Sequence, residues 1–498
     1  MSDTFNNLFI FEMANNHQGS VDHGKAIISA MANIAREHNI KGAVKFQYRD
    51  LDSFIHPASR DLKDIPHIPR FLSTRLSDDQ FRELVSFTRS SGLLPVVTPF
   101  DERSVQKCID HGAAILKIAS CSATDWPLLE CIASAGYPVI ASTGGLTLDQ
   151  IDKLVSFLGH RKLDFAIMHC VSEYPTPDEK QRMNFLARLI RRYPGVTIGY
   201  SGHESPENLN VVTVAIAKGA RLLERHVGVA TDDIILNKYS MNPEQTSAWV
   251  KQALRAQLIC GEDDDKIPDQ VEQASIRSLA RGVYAKHAIK AGETISAEDI
   301  YYAMPCGEGQ TSSGEFGQYR AVFKATKDYR EHDAVQESSP EDPLLTLRAL
   351  LHEARGMLNE AGVIVGEDAP FEVSHHYGMD RFRDIGAIFI SIVNRSYCKK
   401  LAILLPGQQH PSHRHHQKEE TFQLLWGDLD LVVNDNRHKL AAGDIHLIEA
   451  GAWHSFSSNG GCIFEEVSTT DIRHDSEYRD AAINTLDPIQ RKTLIEEW

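Results

Sequence analysis

The chain contains no C-x-x-C pair, although it has eight cysteines among 498 residues. A cysteine zinc site is therefore not indicated, nor is a disulfide framework, and Cys398 and Cys462 are expected to be reduced thiols. No apolar run approaches the roughly 20 residues of a membrane span. The opening stretch MSDTFNNLFIFEMANN lacks a basic segment and has too short an apolar run for a secretory leader, so a cytoplasmic location is expected. Basic residues are outnumbered 52 to 68, which gives a formal charge of −16. Such a chain is a poor partner for nucleic acid or an anionic membrane, although a local basic cluster can still hold a small anion. No repeat of roughly 20–50 residues suggests a solenoid. No glycine-rich dinucleotide fingerprint follows the first apolar run, which counts against an open doubly wound sheet.

What the chain does have is 42% hydrophobic residues, enough for substantial cores. Its length suggests two to four domains of about 150 residues. The first half holds eight short apolar stretches, each with a polar or charged residue at or near its end: LFIFEMA, GAVKFQ, PVVTPF, ILKIAS, PVIAST, AIMHC, VTIGYS and LLERHV. Between them run amphipathic helical patterns. Examples are HGKAIISAMANIAREH after Gly19 and SDDQFRELVSFTRSSG, which opens on Ser77 as N-cap and closes on Gly92. The β-α alternation implies a parallel sheet, and eight repeats imply closure into a (β/α)8 TIM barrel over residues 1–265. The strand ends carry Glu12, Lys45, Gln47, Thr98, Lys117, Ser120, Ser142, His169, Ser201 and His226. Charged groups this close to buried strands are costly unless a site uses them, and the C-terminal rim of such a barrel surrounds one pocket.

Residues 270–340 carry short β-type runs and turn signals such as the KAGE run from Lys290, and read as a small β-rich module. QESSPEDP then reads as a linker. Residues 345–498 open on a helical lead-in, LLTLRALLHEARGMLNEAG, and continue as short alternating strands, the pattern of an all-β barrel or jelly roll.

Lys45 and Lys117 end different strands, with Thr98, Ser120, Ser142 and Ser201 among them. Converging ammonium groups and hydroxyls suit an oxyanion such as phosphate or carboxylate. The alternative is that each lysine pairs with a neighbouring loop. His203, in IGYSGHE, and His226 follow strands seven and eight, where two imidazoles can share a divalent metal. A lone strand-end histidine is more often structural. Glu12, on strand one, faces strand eight across the closure and suits general acid/base work or the orientation of a metal-bound water.

The ordered series EMANNHQG, VKFQ, TPFD, LKIAS, STGG, HCVSEYPTP, GYSGHE and LLERHVG resembles the N-acetylneuraminate (sialic acid) synthase family over the whole barrel. Residues 270–340 are similar to that family's antifreeze-like (SAF) domain. The resemblance implies condensation of phosphoenolpyruvate (PEP) with an aldose, usually an N-acetylated hexosamine, to a nonulosonic acid and phosphate. It implies that Lys45, Thr98, Lys117, Ser120, Ser142 and Ser201 hold PEP and that His203 and His226 bind Mn2+ (or Mg2+). Glu12 matches the catalytic glutamate, and Gln47 and Tyr174 match residues near the reacting sugar. A domain-swapped homodimer is implied too, the antifreeze-like domain closing the partner's site.

Three positions depart from the family's pattern. Ser172 stands where the family has an asparagine that helps hold PEP, and it can still donate a hydrogen bond. Asn237 or Leu236 stands where the family has an aspartate that contacts the sugar, unless Asp232 or Asp233 substitutes. Met304 replaces an arginine that reaches the partner's N-acetyl group. The PEP half is thus kept, and an altered acceptor is expected. A rival reading is a catalytically dead barrel used as a sugar-responsive scaffold; the intact Glu12, Lys45, Lys117, His203 and His226 count against it.

The last segment holds G-x5-HxH-x4-E-x6-G without a gap, at Gly407, His413, His415, Glu420 and Gly427. A further histidine, His454, lies in GDIHLIEAGAWHSFSS, which is similar to the second cupin motif except at Glu449 and Ser458. His413 and His415 share a face by alternation, and His415 and Glu420 are expected on one hairpin side of the barrel. Three histidines and a carboxylate suit Mn, Fe, Zn or Ni. His375, His376, Tyr377 and Lys418 add polarity nearby, whereas His410 and His416, flanking the motif, are expected to be solvated. SHHYG and the HxHxxKEE string resemble sugar-isomerase cupins, which implies either a second enzyme acting on the sugar or a sugar-sensing module.

Overall fold

The computed structural model describes residues 3–60, 65, 67–262, 265–316, 323–336, 343–366, 368–472, 474–496 and 498. Residues 337–342 of the expected linker lie outside the described residues. The chain forms two compact units, Met1–Asp265 and Lys266–Trp498.

In the first unit the eight apolar stretches form eight parallel strands that close into a barrel: β1 (Leu8–Glu12), β2 (Lys41–Tyr48), β3 (Leu94–Pro99), β4 (Ile115–Ile118), β5 (Val139–Ser142), β6 (Phe165–Cys170), β7 (Thr197–Gly202) and β8 (Leu222–His226). β1 pairs with β8 in a register that sets Glu12 opposite His226.

Side chains alternate across each strand. One set, including Phe9, Phe11, Val44 and Phe46, packs with the helices in a large apolar cluster. The other set, including Leu8, Ile10, Ala43, Val96, Ile115, Ile140 and Leu222, forms a second cluster inside the barrel. Two residues further along the strands, that apolar layer gives way to Glu12, Lys45, Thr98, Lys117, Ser142 and Glu224, all buried. Each large apolar side chain in the lower layer contributes roughly 1.5–3 kcal/mol, and this is what holds the charged layer in place.

The helices begin where their caps direct. Helix Asp78–Ser90 opens on a capping box, in which Ser77 Oγ accepts from Gln80 N at 3.3 Å and Gln80 Oε1 accepts from Ser77 N at 2.8 Å. Gly92, at φ 85°, takes the left-handed turn that releases the chain into β3.

In the second unit, β9 (Gly282–Ala285), β10 (Thr294–Ile295), β11 (Ile300–Ala303) and β12 (Phe323–Lys324) form two short antiparallel pairs around Val283, Ala285, Ile300 and Phe323. Helix Pro343–Glu360 follows. The strands after it are β13 (Phe371–Ser374), β14 (Ala387–Asn394), β15 (Tyr397–Leu404), β16 (Gln409–His415), β17 (Glu420–Gly427), β18 (Leu429–Val433), β19 (Asn436–Leu440), β20 (Ile445–Ile448), β21 (His454–Ser457), β22 (Cys462–Thr469), β23 (Ser476–Tyr478) and β24 (Lys492–Ile495). They build a seven-stranded sheet, β20-β17-β22-β15-β14-β13-β24, and a five-stranded sheet, β19-β18-β21-β16-β23. Leu404, Phe422 and Phe464 of the first sheet meet Leu431 and Phe456 of the second in one apolar cluster. The result is an all-β cupin barrel. β16 and β17 do not form the expected hairpin side: β16 pairs with β21 and β23, β17 with β20 and β22, so His415 and Glu420 come from different sheets.

Candidate active site and metal centre

A buried ion network lies at the C-terminal ends of the barrel strands. Lys45 Nζ is 2.5 Å from Glu12 Oε2 and 2.6 Å from Glu224 Oε1. Lys117 Nζ is 3.0 Å from Glu224 Oε2 and 3.0 Å from Met168 Sδ. Ser201 donates to Glu224 Oε1 at 2.8 Å. Burial alone would raise the Glu224 pKa, but Lys117 and Lys45 together hold it below the ordinary range. Glu12 goes the other way: burial raises its pKa, Lys45 opposes, and the Glu224 charge adds to the rise. Burial would lower Lys45, but the two carboxylates more than restore it. Lys117, with one carboxylate, stays lowered by its burial. The layer thus brings two ammonium groups and two carboxylates into contact, and of the two acids Glu12 is the one whose proton affinity is raised.

Hydroxyls surround this network. Thr98 Oγ1 is buried and has no hydrogen-bond partner among the described residues. Ser142 is buried and lies in register with Met168. Ser120 Oγ accepts from Gly144 N at 3.0 Å and touches Cys170 Sγ at 3.2 Å. A Cβ on Gly144 would come 2.4 Å from Ser172 Oγ and 2.9 Å from Ser120 Oγ, so glycine keeps the space between those hydroxyls open.

The two barrel histidines are neighbours, with ring centroids 5.5 Å apart. His203 Nδ1 is 2.9 Å from the Val171 carbonyl, which fixes the ring and leaves Nε2 as an acceptor. His226 Nδ1 is buried without a partner among the described residues. Burial brings His203 down to about 4, and burial with the neighbouring His203 holds His226 well below its ordinary value. Two neutral imidazoles, one with an orphaned nitrogen, fit two ligand positions of a divalent ion. Tyr174, half exposed, packs at a tilt against His203 with ring centroids 4.3 Å apart, and the Tyr239 ring lies 5.0 Å from that of His226. Gln47, in register with Thr98, accepts from Arg49 Nη1 at 3.1 Å.

Several participants were not singled out by sequence. Glu224, the hub of the lysines, stands two residues before His226 and so shares its face of β8; the period of two was the available signal. Asn16 donates to the Val227 carbonyl at 2.8 Å and to Ser240 Oγ at 3.1 Å, tying the loop after β1 to the one after β8. The Arg225 guanidinium pairs with Glu204 in full burial, and Tyr200 donates to Glu204 at 2.9 Å. Neither has a signature in sequence. Asn237 Oδ1 accepts from Tyr239 N and Ser240 N, so it serves the turn, while Asp232 and Asp233 are exposed. Met304 is 56% exposed.

The cupin holds a second cluster. One ligand atom from each of His413, His415 and His454 lies within 4.8 Å of the others. Carbonyl oxygens of Pro411 and Ala452 receive Nδ1 of His413 and His454 at 3.1 Å each, which turns Nε2 of both rings inward. Glu420 Oε2 and His454 Nε2 are 3.1 Å apart, yet neither makes an aligned hydrogen bond. Glu420 Oε1 is 3.3 Å from His415 Nε2 and 2.7 Å from Lys418 Nζ. The three imidazoles fit a transition metal, and Glu420 adjoins two of them.

His416 is exposed, as expected, but His410 is not. It is buried, with Nε2 3.0 Å from His376 Nε2 and its ring stacked on Phe456 at 4.6 Å. A register shift in β16 between His410 and His413 brings both to the inner face, which plain alternation would forbid.

A closed (β/α)8 barrel with an ionised C-terminal rim, joined to a cupin, is the class that the fold defines. The family comparison names it more narrowly. A model of the NeuB family matches residues 32–265, and one of the cupin domain matches residues 400–465. The crystal structure of a protein assigned as spore coat polysaccharide biosynthesis protein E of Chromobacterium violaceum is 43% identical, covers 67% of this chain and 100% of its own, and has a TM-score of 0.65. N-acetylneuraminate-9-phosphate synthase of Mus musculus is 25% identical over 345 residues, 68% of this chain and 94% of that protein. N,N'-diacetyllegionaminic acid synthase of Legionella pneumophila is 28% identical over 314 residues, 59% and 85% of the two. The chain belongs to the NeuB family and carries a C-terminal cupin domain.

Proposed function

We propose that the barrel condenses PEP with an N-acyl-hexosamine-type aldose to give a nonulosonic acid and phosphate. The observation that carries this reading is the single Glu224 carboxylate held between Lys45 and Lys117, beside Glu12 with its raised proton affinity. Lys117 is the cation least compensated in burial, so a phosphate oxyanion relieves it most. Thr98, Ser120, Ser142, Ser172 and Ser201 supply hydroxyl donors to the PEP oxygens. Gln47 and Tyr174 orient the aldose.

His203 and His226 hold Mn2+ (or Mg2+), which when bound polarises a carbonyl oxygen as a Lewis acid. Glu12 in its acid form protonates the aldehyde oxygen as C3 of PEP bonds to the aldehyde carbon. Water adds at C2, the C2–O bond to phosphate breaks, and Lys45 and Lys117 hold the departing anion. A protein that merely sensed sugar would have no use for the buried acid and paired cations.

Metal-dependent phosphate release from PEP, assayed over a panel of aldoses, tests the reaction. His226→Ala is expected to abolish it, and unchanged turnover would remove the metal assignment. With Asn237 turned to its own loop and Met304 lacking a charge, an altered acceptor is expected; a clear preference for N-acetylmannosamine would overturn that part.

The same reading gives residues 270–340 the antifreeze-like role in a domain-swapped homodimer, located in the cytoplasm where PEP is made. Among the described residues no helix is long and apolar enough to cross a membrane. Sedimentation as a monomer at assay concentration would remove the swap.

For the cupin, the charged groups Lys418 and Glu466 beside the metal-fitting cluster favour a second sugar-handling centre, an isomerase or epimerase, over a structural metal. Aldose–ketose exchange followed by NMR in the full-length protein without PEP decides it. Tight sugar binding with no exchange would make the cupin a sensor.

A further inference from the structure

Arg225 precedes His226 on β8, and Glu204 follows His203 just past the end of β7. These two neighbours of the histidines are joined in full burial. Arg225 Nη1 pairs with Glu204 Oε1, and Arg225 Nη2 donates to the Glu204 carbonyl at 2.8 Å. One guanidinium thus grips both the side chain and the backbone of the residue next to His203.

Tyr200 adds a second hold. Its hydroxyl lies 2.9 Å from Glu204 Oε2 and 2.6 Å from Gln181 Oε1. Gln181 Nε2 in turn donates to the Thr176 carbonyl at 3.2 Å, and Thr176 N donates to the His203 carbonyl at 3.0 Å. The chain of hydrogen bonds that leaves Glu204 therefore returns to His203 through the loop after β6. Gly202 makes room for it. A Cβ there would stand 2.5 Å from Glu204 Oε2, 2.8 Å from Tyr200 Cε1 and 2.9 Å from Arg225 Cδ.

The network lies on the outer side of the barrel wall. Tyr200 packs in the apolar cluster shared with the helices, and Gly202 is in register with Arg225. Ser201, between Tyr200 and Gly202, takes the other face and donates to Glu224. A buried ion pair is a poor source of stability, because apolar side chains of similar volume often serve the fold as well. What the pair supplies is direction: it ties the end of β7 to the end of β8 at the two positions beside the imidazoles.

We infer that Glu204 and Arg225 are positioning residues, which from outside the barrel wall set the separation of His203 and His226 at which a divalent ion is held. This rests on the metal assignment in the condensation reading above.

Mn2+ binding to the full-length protein is followed by the electron paramagnetic resonance of the free ion. The cupin cluster also fits a metal, so the barrel component is defined as the binding lost in His226→Ala. Glu204→Gln is expected to raise the barrel Kd by about 10-fold or more, the usual cost of losing an outer partner of metal-ligating histidines. Tyr200→Phe, which removes one hydrogen bond to Glu204, is expected to raise it about 3-fold. Glu204→Asp, which keeps the charge, should recover part of the loss. Calorimetric binding of PEP without metal should stay within about 2-fold in all three variants, because Lys45, Lys117 and Ser201 face the opposite side of the strands.

A barrel Kd for Mn2+ unchanged in Glu204→Gln overturns the proposal. So does an equal weakening of Mn2+ and PEP, which marks the pair as general support of the rim. If Glu204→Gln shows no cooperative urea transition, Tyr200→Phe decides by the same two readouts. A native protein in which His226→Ala removes no Mn2+ binding refutes the metal assignment itself, and the spacing role falls with it. If the native protein binds no PEP, the condensation reading fails on its own, and the Mn2+ affinities still judge the pair.

Discussion

Glu224 accepts the Lys45 ammonium at 2.6 Å through one carboxylate oxygen and holds Lys117 at 3.0 Å with the other. One acid on β8 therefore spaces two cations drawn from β2 and β4. Replacing it by Glu224→Gln leaves Lys45 with only Glu12 and Lys117 without a paired carboxylate among the described residues. Removing one partner of a buried ion pair costs about 3–5 kcal/mol. The barrel transition in urea should show a loss of about 3 kcal/mol, accompanied by weaker PEP binding. A loss below about 1 kcal/mol would mean that the lysines do not depend on this carboxylate.

The space at Gly144 is a second point of leverage. Gly144→Ala drives a methyl toward Ser172 Oγ, Cys170 Sγ and Ser120 Oγ, which would stand 2.4, 2.8 and 2.9 Å from it. The expected result is a rise in KM for PEP of about 10-fold or more, with a stability loss of only about 1–3 kcal/mol for overpacking. An unaltered KM would exclude these hydroxyls from the PEP pocket.

Buried histidines set the acid limit of the fold. Burial, with His23 and Arg70 adding, lowers His17 to about 4; burial, with Arg491 and Lys492 adding, lowers His376 to about 3. Below about pH 6.5 the unfolded chain takes up protons that these native rings refuse. Stability from them is therefore complete above about pH 6.5 and is lost as pH falls toward 4 and 3. For His17 this amounts to about 3 kcal/mol. Urea midpoints of the barrel should fall steeply from pH 7 to 4.5, and His17→Asn should flatten the slope. Parallel pH profiles for the two proteins would contradict this.

In the cupin, His454→Ala and Glu420→Gln should each reduce bound transition metal, measured by mass spectrometry on full-length protein. Chelation of the native protein should lower the second unit's thermal midpoint, by about 4 kcal/mol equivalent if metal stands near 1,000 times its Kd. Full metal content in both variants would refute the four-ligand centre.

Much of this architecture was legible before any coordinates. The eight strands are the eight apolar stretches because burial on both faces demands continuous apolar runs, and their ends show polar residues because the rim layer is polar. Ser77 announced its helix because an orphaned amide needs a local acceptor. His410 was misplaced because a bulge in β16 breaks the alternation on which its solvent-facing assignment depended. His415 and Glu420 were placed on one hairpin side because five residues separate them, yet the chain crosses between sheets within that span.

The sequence by itself determined the periodic order of strands and helices, the residues available at each strand end, and the ligand types in both metal-fitting clusters. These are local properties, set by hydrophobic period and donor chemistry. Tertiary structure alone decided which charges meet. Glu224 became the hub of Lys45 and Lys117, Glu12 became the carboxylate with raised proton affinity, and Arg49 came to lie against Phe71 and Phe100. Pairing and desolvation depend on distances between segments far apart in the chain, and closing the barrel sets those distances.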